Sequence, residues 1–165
     1  MKDRIILDLC GGTGSWAKPY KDAGYDVRTI TLPDNDVRTY VPPANVYGIL
    51  AAPPCTMFSW ARTNAKTPRD LKEGMECVRA CLNIIWSFME VQQDTGKKTL
   101  PLQFWALENP DHGFLPRFIG RPKFTFEPWE FGDPYQKRTA IWGYFNEPKK
   151  NPVKLDAIAR SPSNR

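Results

Sequence analysis

Apolar positions along this chain cluster in short runs, separated by glycine, proline and charged groups. "RIILDL" (4–9) is almost wholly apolar and runs into the glycine turn "CGGTG" (10–14), as a buried strand does. "DVRTITL" (26–32), "VYGILAA" (46–52) and "LQFWALENP" (102–110) read as further strands, the last two stopping at prolines. "KFTFEPWEFG" (123–132) and "TAIWGYF" (139–145) read as late strands enriched in aromatic residues. Between them the period changes. "SWAKPYKDAGY" (15–25) predicts a short helix with Ser15 as a candidate N-cap, Pro19 in its first turn or kinking it, and Gly24 as its stop. The segment 67–93 predicts a long helix. Thr67 is its expected cap, Pro68 its first position and Asp70 the end of a T-x-x-D capping pattern. Leu71, Met75, Val78, Leu82, Ile85 and Met89 supply its apolar stripe.

Strands alternating with helices predict an α/β fold with a largely parallel sheet flanked by helices. No repeat, linker or low-complexity block interrupts the pattern, so residues 1–165 read as a single domain. In such sheets ligands sit at the carboxyl ends of strands, near the reversal of strand order. Four polar or reactive segments fall at strand ends: "CGGTG", "PPC" (53–55), "ENP" (108–110) and "GDPYQKR" (132–138). Their placement predicts one site.

Composition narrows the class. Hydrophobic residues make up 41% of the 165 and aromatics 13%, which is enough to fold around one core. The net charge of +5 suits a phosphate-bearing partner. No run reaches the roughly 18 apolar residues of a membrane span, and the N-terminus enters a strand without a signal-peptide pattern. The expectation is an intracellular, cytoplasmic protein with no membrane partner. Its four cysteines, Cys10, Cys55, Cys77 and Cys81, are then expected to be reduced. Their spacing matches no zinc pattern, and a single histidine, His112, argues against a histidine metal site, so no metal is expected. Cys77 and Cys81, four apart, read as helix-face residues.

The cysteine behind two prolines carries the sharper signal. Proline fixes φ, donates no backbone hydrogen bond and keeps its predecessor extended. Pro53 and Pro54 therefore end a strand and stiffen the turn that presents Cys55. A thiolate is a strong nucleophile, but no histidine near in sequence activates it, so cationic side chains or backbone donors must help. Glu108, behind "FWAL" at a strand end, is expected to be half-buried, with a raised pKa that suits proton donation to a heterocycle. Arg138 offers a planar fork for a carbonyl oxygen or phosphate. "GGTGSWA" (11–17) fits G-x-G-x-x-A through Gly12, Gly14 and Ala17, with Asp34 about twenty residues on. Alone, that pattern fits a nicotinamide dinucleotide as well as an adenosyl cofactor.

In this order, the four segments resemble the cytosine-C5 DNA methyltransferase family, from about Ile5 to Tyr144. "DLCGGTG" resembles its D-L-F-x-G-x-G cofactor loop, "PPCTMFS" its P-C-Q-x-F-S loop, "LENP" its E-N-V motif and "YQKRTAIWG" its Q-x-R-x-R motif. The resemblance implies a Rossmann-like S-adenosylmethionine-dependent methyltransferase fold, with S-adenosylhomocysteine as product. It implies that Cys55 attacks C6 of cytosine, Glu108 binds or protonates N3, Arg138 holds O2 and Asn109 positions the Cys55 loop. Asp8, Cys10, Gly11, Gly12, Gly14, Leu32, Asp34, Asp36, Val37 and Pro53 would then line the cofactor. Pro54, Phe58, Ser59 and Gln136 would approach the substrate.

This chain departs from the pattern at several points. Cys10 replaces the aromatic of the cofactor loop, and Thr56 replaces the usual glutamine. Ala140 replaces the second arginine of Q-x-R-x-R. The ribose-binding glutamate falls near Leu32, with Asp34 the nearest acid. About twenty residues follow Tyr144, so the expectation is a minimal catalytic domain without a target recognition domain. Such a domain suits a free cytosine nucleotide (CMP or dCMP), or DNA read loosely or through a separate recognition subunit. A phage-encoded origin rests on the resemblance alone. Two other classes compete: a non-catalytic S-adenosylmethionine- or nucleic-acid-binding module, and a nicotinamide-dependent oxidoreductase.

Overall fold

The computed structural model describes residues 3–62, 65–94, 102–154 and 159–160. Its centre is a six-stranded sheet in the order β2-β1-β3-β4-β7-β5. The strands are β1 (Ile5–Leu9), β2 (Asp26–Ile30), β3 (Val46–Ala51), β4 (Phe104–Pro110), β5 (Phe124–Phe126) and β7 (Thr139–Tyr144). Neighbours are parallel from β2 through β4, and β7 is antiparallel to both β4 and β5. The sheet is thus α/β and mostly parallel, with one inverted strand.

β1 and β3 are buried over most of their length, which fits their continuous apolar runs. α2 (Leu71–Asp94) covers one face, where Val78, Cys81 and Ile85 pack on Leu7, Leu9, Ile49, Ala51 and Leu107. Each fully buried Ile or Leu there contributes roughly 1.5–3 kcal/mol. The opposite face carries Ile6, Leu50 and Ala106 beneath α1 (Lys18–Asp22) and a layer of rings, with Tyr20 stacked on Phe104 at 5.4 Å.

Both helix starts differ from the sequence expectation. α1 begins at Lys18 with Ala17 at the cap, because Pro19 suits the first turn and Ser15 Oγ instead pairs with Thr13 Oγ1 at 2.7 Å. α2 begins at Leu71. Its first turn is capped by Asp70 Oδ1, which accepts the Glu73 N–H at 2.9 Å, while the Thr67 hydroxyl accepts from Arg62. The segment 123–132 is a strand only at β5. Pro128 then starts a 3₁₀ turn, Pro128–Phe131. Two further short strands, β6 (Tyr135–Gln136) and β8 (Ala159–Arg160), pair in parallel where the sequence reads as loop and polar tail. α3 (Leu115–Ile119) follows β4, and Trp142 is core, its Nε1 donating to Gly120 O at 2.9 Å.

Strand order reverses between β1 and β3, so the crevice outside their carboxyl ends is where this architecture places a ligand. The inverted β7 matters here. Pro110 pairs with Thr139 and Glu108 with Ile141, so the start of β7 lies at the same sheet end as the finish of β4. The segment before β7 therefore joins those that follow β1, β3 and β4. Among the described residues, no helix is long and apolar enough to cross a membrane.

Candidate active site

Cys55 sits in a tight turn just past β3. Its carbonyl accepts the N–H groups of Phe58 and Ser59, both at 2.9 Å. Phe58 is 1% exposed, so its ring anchors this turn in the core and does not face a substrate, contrary to the sequence expectation. The turn is fixed from three sides. Asn109 Nδ2 donates to Pro53 O at 3.0 Å from the end of β4. Phe114 N–H donates to Phe58 O at 3.0 Å, and Ser59 bridges to Gly113. Arg69 donates to Met57 O and, at 3.0 Å, to Ser59 O, with its guanidinium 5.0 Å from the Phe114 ring centroid. Pro53 is buried and Pro54 exposed, so the first proline packs and the second faces out.

Cys55 opens into a cavity of about 600 Å³ that Ser59, Arg62, His112, Lys137 and Arg138 also line. Burial pushes the Cys55 thiol pKa up, and the Lys137 charge opposes that shift. Arg138 Nε donates to Asp111 Oδ2 at 2.7 Å and Nη2 to Thr125 Oγ1 at 3.4 Å. Its fork is therefore held at the cavity wall by Asp111, whereas the sequence expectation left it free for a base oxygen. Gln136 is exposed in β6, opposite Arg160, and lies outside this cavity's lining.

Glu108 lies on the α1 face of the sheet. It lines a second cavity of about 580 Å³ with Gly11, Trp16, Ala52, Tyr135 and Lys137. Burial raises its carboxyl pKa, and Lys137, with Nζ 4.0 Å from Glu108 Oε1, acts the other way. Lys137 lines both cavities.

The glycine loop forms the far wall of the second cavity. Gly14 N–H donates to Gly11 O at 2.9 Å, and Gly12 and Gly14 have φ of 55° and 72°. Gly11 lies directly over Asp8: a Cβ there would fall 2.0 Å from Asp8 Oδ2. Asp8 is fully buried, and burial raises its pKa. Its Oδ2 accepts only a long bond from Thr29, 3.5 Å, and its Oδ1 has no hydrogen-bond partner among the described residues. Cys10 takes φ of 57°, rare for a side-chain-bearing residue, and packs against the core cluster that includes Cys81 of α2.

The residues expected to hold the rest of a cofactor are more dispersed. Leu32 is 64% exposed and Asp34 is exposed; Val37 is buried in the core. Asp36 is held by Arg38, whose Nε donates at 2.9 Å, and the pairing lowers the Asp36 pKa to about 2. None of these four lines the cavity of Glu108. The structure thus gathers Gly11, Cys55, Glu108, Asn109 and Arg138 at one sheet end; Leu32 and Asp34 follow β2 at that same end but line neither cavity. Sequence reading assigned no role to Arg69, Lys137 or His112. Lys137 was legible only as the middle residue of "QKR"; Arg69 and His112 carry no local pattern.

No protein-family model matches this chain, and no curated protein matches it.

Proposed function

We propose that this protein methylates cytosine at C5 by covalent catalysis through Cys55, using S-adenosylmethionine, with DNA or a free cytosine nucleotide as acceptor. One observation carries the reading. Cys55 and Glu108 leave the carboxyl ends of adjacent parallel strands, β3 and β4, beside the glycine loop that follows β1. A nucleophile and a proton donor carried on adjacent strand ends, with Lys137 lining both of their cavities, suit addition to a ring that must accept electrons at a nitrogen.

The glycine loop suits the cofactor. Among the described residues Asp8 Oδ1 is a buried acceptor lacking a donor, and Gly12 is open, with nothing within 4 Å of a Cβ placed there. Asp8 and the loop Gly11–Gly14 would hold the amino-acid end, and Asp36, exchanging part of its Arg38 pairing, the adenine amine. When bound, S-adenosylmethionine supplies the methyl group as an electrophile.

The chain's own residues supply the rest. Cys55 Sγ forms a bond to C6 as the C5–C6 π bond opens. Glu108, whose burial favours its protonated form, gives a proton to N3, so the displaced electrons return to C5 as an enamine. C5 is then the nucleophilic atom. After methylation, loss of the C5 proton to water expels Cys55 Sγ as the thiolate, and N3 returns its proton to Glu108, which restores the neutral ring. Asn109 and Arg69 keep the Cys55 turn in register through its backbone carbonyls.

The test is direct. The protein is incubated with S-adenosylmethionine and, separately, CMP, dCMP, single-stranded DNA or duplex DNA, and the digested products are weighed by mass spectrometry. One added methyl on cytosine in any arm supports the reading. The arm that responds names the acceptor, and polymer-only methylation turns attention to a recognition subunit. A folded protein that binds the cofactor but methylates nothing is a binding module, and the catalytic reading fails.

A further inference from the structure

Lys137 stands where two charges must be managed at once. Its Nζ is 4.0 Å from Glu108 Oε1, and its side chain lines both the Cys55 cavity and the Glu108 cavity. The other cations at the Cys55 cavity are otherwise engaged: Arg138 is held by Asp111, and Arg62 donates to Thr67 Oγ1 at 2.8 Å and to Pro68 O. His112 lines the same cavity, but its ring stacks on Trp60 at 6.4 Å between centroids.

We propose that Lys137 is a positioning residue whose ammonium stabilises the Cys55 thiolate and holds the Glu108 carboxyl group beside it. The inference rests on reading Cys55 as the nucleophile of this site. It gives a chain with one histidine a cation that favours ionisation of a half-buried thiol against the cost of its burial. A thiol with a neighbouring carboxylate, and a thiolate with a neighbouring carboxylic acid, carry the same single negative charge. Lys137 offsets that charge in either form. The proton leaving Cys55 Sγ has an acceptor in the Glu108 carboxylate, and the resulting acid is the form that donates to N3. No proton is gained from or lost to solvent in the addition step.

The groups that face Cys55 set opposite expectations. Lys137, before β7, lowers its pKa. Glu108, from β4, raises it, as does burial. Iodoacetamide alkylation of Cys55, followed by peptide mass spectrometry across pH, reads the thiolate without any methyl transfer. In Lys137→Met the alkylation profile should move to higher pH, with a rate at pH 7 about tenfold lower, as expected for loss of a nearby opposite charge. Glu108→Gln should move it to lower pH, and Lys137→Arg should retain the wild-type profile because the charge remains. An unchanged profile in Lys137→Met, with circular dichroism showing a folded protein, overturns the inference. The same shift in a protein that methylates no acceptor keeps Lys137 as activator of the thiol and sinks the methyltransferase reading instead.

Discussion

Asn109 Nδ2 donates to Pro53 O at 3.0 Å, which joins the end of β4 to the turn that presents Cys55. Both residues are buried, so neither group has water to fall back on. The bond fixes the distance between the strand that carries Glu108 and the loop that carries the nucleophile. Asn109→Ala leaves the Pro53 carbonyl unpaired. The expected loss is about 1–3 kcal/mol of stability by urea unfolding, with a fall in methyl transfer that exceeds the fall in folded fraction. A variant with full activity would show that this bond does not position Cys55.

Cys55→Ala separates chemistry from binding. The thiol is half-buried at the cavity rather than in the core, so the variant should fold normally. Methylation should be abolished, while the thermal shift produced by S-adenosylmethionine should stay at its wild-type value. Residual turnover well above background would remove the covalent step from the mechanism.

Much of this arrangement was legible in the sequence because β1, β3 and β4 are continuous apolar runs closed by glycine or proline. Their ends announced Gly11, Cys55 and Glu108 at one side of a mostly parallel sheet. The inversion of β7 was not legible, because an aromatic-rich strand has the same pattern in either direction. That inversion brings Lys137 and Arg138 to the sheet end that carries Glu108. The burial of Phe58 was not legible for a similar reason: motif spacing gives position along the chain, whereas burial depends on contacts with Phe114 and α2 that lie far away in sequence. Leu32 and Asp34 sit on a loop with no periodic signal, and nothing local constrained where that loop would run.

Arg69 reaches the Cys55 turn from just before α2 and donates to two of its carbonyls. A fork with two parallel donors does this where a single ammonium does not. Arg69→Lys and Arg69→Ala should both loosen the turn, seen as faster amide hydrogen exchange over 56–60. Misplacing a nucleophile by about 1 Å costs on the order of a hundredfold in rate. Turnover should therefore fall by a similar factor in both variants while cofactor binding holds. Equal exchange rates in wild type and Arg69→Ala would show that the turn is held without Arg69.

Asp8 gives the site a pH-dependent stability of known sign. Burial raises its pKa in the folded state above the unfolded value of about 3.9. Its contribution to stability is therefore fully present below that unfolded value and declines as pH rises through the folded one. Asp8→Asn removes the ionisation and keeps the shape beneath Gly11. The variant's melting temperature should match wild type near pH 3.5, rise above it as pH climbs past the unfolded value, and level off once pH exceeds the folded-state pKa. Melting temperatures of both proteins across that range settle the point. A variant less stable than wild type at pH 8 would mean that Asp8 is ionised and compensated in the folded protein, and that its Oδ1 is no vacant acceptor for a ligand's amine.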